Sequence, residues 1–562
     1  MNQESNFYDH KIIEDKWVKD WEVNHIYDTK INTLKPKYYI LDTFVYPSAK
    51  GVTIGHYKSF GGMDVQARYK RMKGFNVLYP TGWDTFGLPA ENFAIKSGRH
   101  PKDITEENRS NFIHQYKHAG LSYGWNNEIN TSDPEYYKWT QWIFGVLYKK
   151  GLAYKKKAPV FWCPSDQTVL SKEQVLNEDE CERCGSKVEL RELNQWFFKI
   201  SEYAERLFND CQKLKWEDKY INPHRNWIGK IDSEGFFEPN VRDWCISRQR
   251  YWGTPIPIIY CKECGEVLVE EKDLPVLLPY EINYSSNGKS PLESNADFVN
   301  TTCPKCGGVA TRETDTMDTF VSSAWYQFRF ADSSNSQEFA GKESLNYWRN
   351  VDHYAGTVEH LTAHLIYSRF ITKVLFDQGY VPFDEPFPFY TPVGLLVDKT
   401  GNRFSKRLGN APETNELITT YGGDLLRMSC QFISPYSDIS KWSEQDVVVV
   451  KRFRDRFWKL FEARVLNSNY PKTLTVDTLK GELNTLIEAV DNNIQQMKYN
   501  VALSTLMVFI NNRYKEEMNI SIEIWSIFVK LLCPLAPFIA EEMWSRMNNK
   551  TSVHQSQWPE RF

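Results

Sequence analysis

Short apolar runs alternate with helical periodicity over residues 38–155. Residues 38–41 (YYIL) and 76–79 (NVLY) have the length of buried strands, whereas residues 134–149 form a helix pattern rich in Trp and Tyr. Residues 1–37 have the pattern of an amphipathic helix ahead of the first strand. Strands that alternate with helices are typical of parallel α/β sheets, so this region predicts the first half of such a sheet.

The pattern changes near residue 444. Residues 447–465, 479–496, 501–514 and 522–547 have helical periodicity with few glycines, and they predict an all-α bundle. On pattern alone the bundle is either a nucleic-acid-binding domain or a structural cap. Between the two regions, residues 282–300 are polar and rich in Ser and Asn, and they predict a loop.

The composition sets limits on function. A chain of 562 residues predicts three to four domains, and a net charge of −4 with a pI near 6.3 gives no global signature of nucleic-acid binding. Local patches can still bind RNA, because phosphate attraction acts over about 10 Å. Residues 149–157 (KKGLAYKKK) are one candidate patch, and a solvated lysine-rich face is the equal alternative.

No secretory signal is visible at the N-terminus, and no apolar stretch is long enough to span a bilayer. The cysteines number 11, an odd count, and seven of them fall in clusters with the spacing of metal ligands. This usage predicts a reducing, cytoplasmic setting rather than a disulfide framework. The remaining four are predicted to be small buried hydrophobes: Cys211, Cys245, Cys430 and Cys533.

One cysteine cluster consists of two C-x-x-C knuckles. Cys261 and Cys264 form the first knuckle, Cys303 and Cys306 form the second, and a glycine follows each. Four thiolates at this spacing are typical of a structural zinc site.

A second cluster is less complete. It contains Cys163, Cys181 and Cys184, with Asp166 or a nearby group as a possible fourth ligand. An empty, hydrogen-bonded knuckle is the alternative, so one zinc site is predicted and a second remains possible. The pattern contains no open catalytic metal site.

Two segments have the character of phosphate-binding elements. Residues 46–56 (YPSAKGVTIGH) turn from the strand-like run into a helix, and such a junction presents backbone N–H groups to phosphates. Residues 403–407 (RFSKR) form a short cationic loop far downstream. Two such elements so far apart predict one nucleotide site built by two halves of a split fold.

These segments resemble the HIGH and KMSKS motifs of class I aminoacyl-tRNA synthetases, and the wider sequence narrows the resemblance to the leucyl-tRNA synthetase family. The motifs that narrow it are residues 82–91 (GWDTFGLPAE), 225–229 (RNWIG), 243–253 (DWCISRQRYWG), 313–320 (ETDTMDTF), 358–360 (VEH) and 421–427 (YGGDLLR). The resemblance implies a split Rossmann-like (HUP-type) parallel-sheet catalytic domain with zinc-knuckle insertions. An all-α bundle that contacts tRNA follows it.

The implied reaction is ATP-dependent adenylation of leucine, followed by transfer to tRNA, with Mg2+ held by the phosphates. By resemblance the catalytic residues are Thr53, His56, Arg403 and Lys406. The ATP-binding residues are Gly55, His56, Gly356, Glu359, Ser405 and Lys406. The chain departs from the family pattern where Thr53 replaces the first histidine and where arginines stand at positions 403 and 407.

The resemblance also assigns a leucine pocket. Asp84 is expected to bind the substrate ammonium, and the other pocket residues are Phe44, Tyr46, Phe320, Ser323, Tyr326, His360 and His364. Phe44 replaces what is often a smaller apolar residue. Because His360 and His364 are four residues apart, they are expected to share a helix face. In isolation that spacing also fits metal ligands or core histidines.

Two family domains are expected to be absent: the hydrolytic editing domain, for which residues 230–241 leave no room, and the small C-terminal tRNA-binding domain. The expected divisions are residues 1–155 and 309–440 for the two catalytic halves, 156–200 and 261–308 for the zinc knuckles, 201–260 for the connective remnant and 441–562 for the bundle.

The leading hypothesis is a monomeric leucyl-type synthetase that acts on leucine or a close analogue, ATP and tRNA, without a membrane. Without editing, its pocket alone must reject analogues that differ by one methylene, which gives about 1–3 kcal/mol of discrimination. A second hypothesis is a paralogue that delivers the activated amino acid to a carrier protein, a small amine or a dedicated biosynthetic enzyme. A third is a non-catalytic binding module.

Overall fold

The computed structural model describes residues 8–47, 51–170, 175–176, 179–181, 184–284, 289–404, 409–465, 473–516 and 519–562. Within these ranges, no helix combines the length and apolar character needed to cross a bilayer.

The chain forms 19 α-helices within the described residues. They are α1 His10–Val23, α2 Ile54–Met72, α3 Leu88–Ser97, α4 Pro101–His118, α5 Pro134–Lys149, α6 Ala204–Asn209, α7 Asp218–Ile228, α8 Ala296–Val299, α9 Thr319–Ser323, α10 Tyr326–Ala331, α11 Lys342–Trp348, α12 His364–Asp377, α13 Thr414–Tyr421, α14 Gly423–Phe432, α15 Glu444–Val465, α16 Val476–Gln495, α17 Tyr499–Glu516, α18 Ile522–Leu532 and α19 Pro537–Arg546.

The strands are mostly short. They are β1 Lys37–Asp42, β2 Asn76–Leu78, β3 Gly82–Trp83, β4 Ile129–Asn130, β5 Ala153–Cys163, β6 Thr168–Leu170, β7 Val175–Leu176, β8 Glu180–Cys181, β9 Glu189–Phe198, β10 Gly229–Ile231, β11 Phe237–Pro239, β12 Trp244–Cys245, β13 Ser247–Arg248, β14 Ile258–Cys261, β15 Gly265–Leu268, β16 Asn300–Thr302, β17 Val309–Arg312, β18 Thr316–Met317, β19 His353–Gly356, β20 Tyr390–Pro392, β21 Leu396–Val397, β22 Ser440–Lys441, β23 Thr473–Leu474 and β24 Asn519–Ile520.

A parallel sheet in the order β2-β1-β19-β20 joins the two halves of the chain. In the central strand β1, Ile40 packs into the core cluster that contains α2, while Tyr39 and Leu41 pack into the cluster that contains α5 and α12. Such alternation covers both faces of a parallel sheet. The predicted first strand, second strand and Trp-rich helix are therefore confirmed.

Strands β1 and β19 are neighbours in the sheet although they are far apart in sequence. They pair in parallel register, with Ile40 beside His353 and Asp42 beside Ala355. Their carboxyl ends thus meet at one edge of the sheet, where the chain changes direction on either side. In open α/β sheets, ligands bind in the crevice at such a switch point.

A long antiparallel ribbon of β5 and β9 projects from the first half. Strand β12 pairs with the end of this ribbon, close to the segment where the sequence predicts a short linker. That linker forms the hairpin β10–β11, in which Gly229 lies opposite Pro239. The connection is thus a compact turn and holds no inserted domain.

Two predictions about secondary structure are wrong in part. The helix predicted over residues 522–547 is two helices, α18 and α19, because Pro534 and Pro537 interrupt the helical hydrogen bonds. The loop predicted over residues 282–300 contains a single helical turn at Pro291–Ser294 and the short helix α8. The other three predicted bundle helices correspond to α15, α16 and α17.

A buried ion cluster on α2 connects the catalytic halves with the C-terminal helices. The carboxylate of Asp64 is fully buried and lies 2.7 Å from both Arg68 and Arg427. Arg427 also donates to the carbonyl of Pro534 at 3.0 Å, and Arg68 contacts the ring of His554 at 2.9 Å. Burial would raise the pKa of Asp64, but the two guanidinium groups reverse this effect and lower it.

Removal of this carboxylate should be strongly destabilising. In Asp64→Asn two buried guanidinium groups lose their counter-charge, and we expect a loss of about 3–5 kcal/mol. Glu107→Gln, which breaks the exposed pair with Arg99, is the matched control and should cost less than about 1 kcal/mol. Thermal and urea unfolding of both variants measures the difference. Equal losses would contradict a central role for the cluster.

Candidate functional site

The first turn of α2 fixes the ring of His56. The backbone N–H of Thr53, the residue before the helix, donates to His56 Nδ1 at 2.9 Å. Because Nδ1 accepts this bond, the proton of the neutral ring lies on Nε2. Burial, reinforced by the charge of Arg403, lowers the pKa of His56 to about 4. The ring is therefore a neutral hydrogen-bond donor at neutral pH.

Packing orients this donor toward the crevice. The ring of His56 stacks on Phe60, with a centroid separation of 5.2 Å and an interplanar angle of 3°. At Gly55 a Cβ would meet only Thr53 Oγ1, at the ordinary distance of 3.5 Å. Among the described residues, no other side chain comes within 4 Å of this position, which leaves space beside the backbone N–H groups.

The same arrangement recurs at the end of β19. The N–H of Thr357 donates to His360 Nδ1 at 3.1 Å, and burial lowers the pKa of His360. The sequence carries the pattern Thr-x-x-His at both places, residues 53–56 and 357–360. Two neutral imidazoles thus follow two neighbouring parallel strands.

The expectation that His360 and His364 share a helix face is wrong. His360 lies in the single-turn helix Val358–Thr362, and His364 begins α12 after a break at Ala363 (φ −131°, ψ −91°). The two rings nevertheless remain close, at 5.8 Å between centroids in an edge-to-face arrangement. Tertiary packing, rather than helical spacing, brings them together.

Close approach of the two strand ends explains the glycine at position 356. A Cβ there would lie 2.7 Å from Thr43 Cγ2 and 3.2 Å from His360 Nδ1. Any side chain would therefore push β1 and the Thr357 turn apart. Gly356 holds the floor of the crevice narrow.

The cationic loop reaches this crevice from the second half of the chain. Arg403 lies 3.3 Å from the carboxylate of Glu359, and the first residue of α13, Thr414, donates to the carbonyl of Val52 at 2.6 Å. The charge of Arg403 also lowers the pKa of His56, so the described parts of the two predicted phosphate-binding segments lie near each other. Ser405 and Lys406, predicted from the sequence for the same site, lie outside the described residues.

Four of the predicted pocket residues form one cluster. The rings of Phe44 and Tyr326 are 4.2 Å apart, and the hydroxyl of Tyr326 lies 3.2 Å from His364 Nε2. His360 adjoins His364 on the other side. Tyr354, which sequence reasoning missed, completes the group with its hydroxyl 2.8 Å from that of Tyr326. The result is a pocket wall of aromatic and imidazole rings.

The carboxylate of Asp84 lies beside this wall without a cation among the described residues. Its backbone N–H donates to the carbonyl of Val45 at 2.9 Å, and its side chain accepts from Thr131 Oγ1 at 3.2 Å. Burial raises the pKa of Asp84 to about 7, Thr131 opposes the rise, and the charge of Asp318 adds to it. The site therefore has an unbalanced carboxylate that a positive ligand group would satisfy.

The remaining predicted residues line the neighbouring side. The hydroxyl of Tyr46 accepts from the N–H of Ala90 at 3.2 Å, and Phe320 packs 5.8 Å from the ring of Tyr367. Ser323 is buried in α9 and donates to the carbonyl of Thr319 at 3.4 Å. Tyr46 and the first residue of α9 both lie beside Gly87, where a Cβ would be 3.2 Å from Tyr46 Oη and 2.9 Å from Thr319 Cγ2, so these residues belong to one region.

Both cysteine clusters converge. The sulfur atoms of Cys261, Cys264, Cys303 and Cys306 lie within 4.8 Å of one another. Gly265 and Gly307, which follow the two knuckles, have φ of +70° and +72°, so each tight turn needs a glycine. Four converging sulfurs form the donor set of a structural zinc site.

The second cluster includes the carboxylate suggested from the sequence. Cys163, Cys181, Cys184 and Asp166 place their ligand atoms within 4.8 Å of one another. Asp166 Oδ2 lies 3.6 Å from Cys181 Sγ, and the hydroxyl of Ser186 lies 2.7 Å from Cys184 Sγ. Three sulfurs and one oxygen fit a tetrahedral ion, with Ser186 as an outer partner.

Three residues at the site escaped the sequence analysis. Thr357 had a signal, because its spacing to the following histidine repeats that of Thr53. Tyr354 and Thr131 had no such signal in the sequence. Tyr354 is an ordinary aromatic residue in a strand, and Thr131 becomes relevant only when its segment folds against residue 84.

Comparison with known proteins agrees with this geometry. The family described as "tRNA synthetases class I (I, L, M and V)" matches residues 16–443, and the "Anticodon-binding domain of tRNA ligase" matches residues 478–562. The leucine–tRNA ligase of Caldanaerobacter subterraneus is 35% identical over 740 residues, covering 98% of this chain and 90% of the relative. The chain belongs to the leucine–tRNA ligase family of class I synthetases.

A second relative of this synthetase, the leucine–tRNA ligase of Thermotoga maritima, is 35% identical over 748 residues, covering 97% of this chain and 90% of the relative. Both alignments are longer than the chain. For the first relative, at least 178 aligned positions (740 − 562) have no counterpart here. This synthetase is therefore internally shorter than the relatives it matches.

Among solved structures, the agnB2 LeuRS of Agrobacterium radiobacter K84, in a ternary complex with tRNA and LeuAMS, superimposes with a TM-score of 0.91 and 28% identity. The match covers 99% of this chain and 90% of that chain. The methionyl-tRNA synthetase of Mycobacterium tuberculosis, with a TM-score of 0.64 and 16% identity, shares the fold. The predicted split Rossmann-like fold with a helical bundle is confirmed.

The unbalanced carboxylate of Asp84 predicts a gain in stability on its removal. An acid whose pKa is raised on folding loses stabilisation as the pH rises, here between about 4 and about 7. Asp84→Asn should therefore stabilise the ligand-free synthetase at pH 8 by about 1–3 kcal/mol and change little at pH 4. Thermal unfolding at both pH values, with the exposed Asp297→Asn as control, measures this effect. An unchanged or lower melting temperature at pH 8 would contradict the raised pKa.

Proposed function

We propose that this synthetase activates leucine with ATP, releases pyrophosphate and transfers the leucyl group to the 3′ end of tRNA. The observation that carries the proposal is the buried carboxylate of Asp84, which has no cationic partner among the described residues and lies near the ring of Tyr326 in the aromatic cluster. An α-amino acid supplies all that this arrangement lacks: an ammonium for the carboxylate, an apolar side chain for the pocket and a carboxylate nucleophile for the crevice.

The position of Asp84 defines how the amino acid lies. Its carboxylate holds the ammonium, so the side chain of leucine extends toward Phe44, Tyr326 and His364. Buried polar groups that are satisfied only by the correct substrate provide strong selection against ligands without an ammonium. The aromatic wall selects by size, and this selection is weaker for analogues that differ by one methylene.

His56 acts on the triphosphate as a neutral donor. Its Nε2–H is directed by the Thr53 hydrogen bond, and it stabilises the charge that develops on the α-phosphate when the leucine carboxylate attacks. Donors fixed in advance are worth most at the point where charge develops. Arg403 and Lys406 supply positive charge to the pyrophosphate that leaves, and Mg2+ held by the phosphates would add to this neutralisation.

Two further residues are proposed to hold the adenosine. Gly356 lets the two strand ends approach closely at the crevice floor, where its backbone is proposed to lie against the nucleoside, and Glu359, the neighbour of Arg403, offers a carboxylate to the ribose hydroxyls. The ion pair between Glu359 and Arg403 would then open as ATP enters. Gly55, Thr53 and Ser405 complete the proposed phosphate contacts.

Transfer to tRNA is supported by the helices α16–α19, which lie in the segment that matches the anticodon-binding domain. The similar LeuRS structure, at a TM-score of 0.91, contains tRNA and LeuAMS together. If the acceptor were a carrier protein or a small amine, the helical bundle would have no tRNA to bind. We therefore favour tRNA over the acceptors of the paralogue hypothesis.

The two cysteine clusters are proposed to hold structural Zn2+, one ion each. Cys261, Cys264, Cys303 and Cys306 would bind one ion, and Cys163, Cys181, Cys184 and Asp166 the other. All eleven cysteines are free thiols, which suits a reducing compartment and supports a cytoplasmic location.

Leucine-dependent ATP–pyrophosphate exchange and charging of tRNA test the function. In His56→Asn the shorter amide oxygen can still accept from Thr53, but the donor to phosphate is lost. We expect kcat of exchange to fall about 100-fold, with a smaller change in the KM for leucine. His118→Asn, on the surface of α4, is the control. Exchange without charging would favour the paralogue, and no exchange with any amino acid would sink the proposal.

Metal analysis tests the zinc sites. The purified protein should contain two zinc ions per chain, and Cys303→Ser should lose one of them together with thermal stability. Cys245→Ser, outside both clusters, should retain both ions. Zinc content that is independent of Cys303 would exclude the four-cysteine site.

A further inference from the structure

The backbone carbonyl of Leu361 lies at the junction between the two histidines of the pocket. Leu361 follows His360, and the break at Ala363 separates its turn from α12, which begins at His364. At such a break the helical hydrogen-bond pattern is interrupted, and a buried carbonyl needs another donor. The donor is the fully buried ring of His224, whose Nδ1 lies 2.6 Å from the Leu361 carbonyl.

His224 is in turn held by a saturated guanidinium. Arg369 donates to both oxygens of Glu385 at 2.8 Å and to the carbonyl of Leu207 at 2.9 Å. Its remaining nitrogen lies 2.8 Å from His224 Nε2 and 3.5 Å from Cys211 Sγ. These contacts engage every nitrogen of the guanidinium, so its position is set by the core rather than by the pocket.

The two contacts of His224 determine where its proton lies. A guanidinium nitrogen can only donate, so Nε2 accepts from Arg369. A carbonyl oxygen can only accept, so Nδ1 carries the proton and donates to Leu361. Burial, with the charge of Arg369 added, lowers the pKa of His224 to about 3. The ring is thus neutral, in the tautomer opposite to that of His56.

We propose that His224 is a positioning residue of the leucine pocket: its Nδ1–H fixes the Leu361 carbonyl and thereby the placement of His360 and His364. This inference rests on the proposed function of the pocket. The core fixes the position of Arg369, and Arg369 fixes the ring of His224. The hydrogen bond from His224 to Leu361 extends this restraint to the turn. The helix α7 that carries His224 ends at the β10–β11 hairpin, so the connective segment supports the pocket in addition to the sheet, which holds His360 through Thr357.

Two substitutions separate the contacts of the ring. In His224→Asn the amide nitrogen takes the place of Nδ1 and can donate to Leu361, but nothing accepts from Arg369. In His224→Gln the amide oxygen reaches the place of Nε2 and accepts from Arg369, but the donor to Leu361 is lost. Both variants disturb the same buried site, so a general loss of stability affects both, whereas only the second releases the turn.

Leucine-dependent exchange kinetics measure the difference. The KM for leucine should be at least about fivefold higher in H224Q than in H224N, whereas the KM for ATP should be equal in the two. The same pair of substitutions at His114, an exposed residue of α4, is the control and should show no such difference. Equal leucine KM values in H224N and H224Q would overturn the positioning role. Absence of exchange in the unaltered protein would instead overturn the proposed function.

The tautomer gives a readout that needs no variant. Nitrogen NMR of the unaltered protein with labelled histidine should contain, for His224, a signal of a neutral ring protonated on Nδ1 that does not titrate near neutral pH. Its assignment follows from the loss of this signal in H224N or H224Q, whichever is better folded. A ring at this position with its proton on Nε2 would contradict the hydrogen bond to Leu361 and overturn the proposal.

Discussion

The buried carboxylate of Asp64 is the point at which three parts of the chain meet. Arg68 belongs to the same helix, Arg427 comes from the second catalytic half, and through these two guanidiniums the C-terminal helices attach at Pro534 and His554. A buried charge must be paired, so none of these parts can move away without exposing an unbalanced group. The helix that carries Asp64 also carries His56 at its start. The geometry of the crevice therefore depends on an ion cluster remote from any substrate.

The crevice differs from this cluster, because its buried carboxylate is not paired with a basic side chain among the described residues. Asp84 has no cation beside it among the described residues. Burial raises its pKa to about 7, because the charged carboxylate is destabilised there. The core pairs the charge of Asp64 with two arginines, whereas the charge of Asp84 would be paired by a ligand in the proposed function. This contrast between Asp64 and Asp84 separates a charge that stabilises the scaffold from one that, in the proposed function, would gain binding energy from the substrate ammonium.

Much of this could be predicted from the sequence, where the signal is local. The strand around Ile40, the helix Pro134–Lys149 and the cysteine knuckles all have periodicity or spacing that a short window contains. The break of the last predicted helix was readable at Pro534 and Pro537, whose restrictions are also local. Other features could not be predicted, because each joins segments that only the tertiary fold brings together. They are the partners of Asp64, the contact of Thr131 with Asp84 and the hydrogen bond from His224. The separation of His360 from His364 by a backbone break belongs to the same class.

The repeated Thr-x-x-His turns have a consequence for the electrical character of the crevice. In each turn a backbone N–H occupies Nδ1, and burial lowers the imidazole pKa, for His56 to about 4. Both shifts favour the neutral imidazole, so the two rings contribute dipoles rather than positive charge. In the proposed function, any change of charge that a triphosphate meets at this edge of the sheet would therefore come from groups other than these two rings.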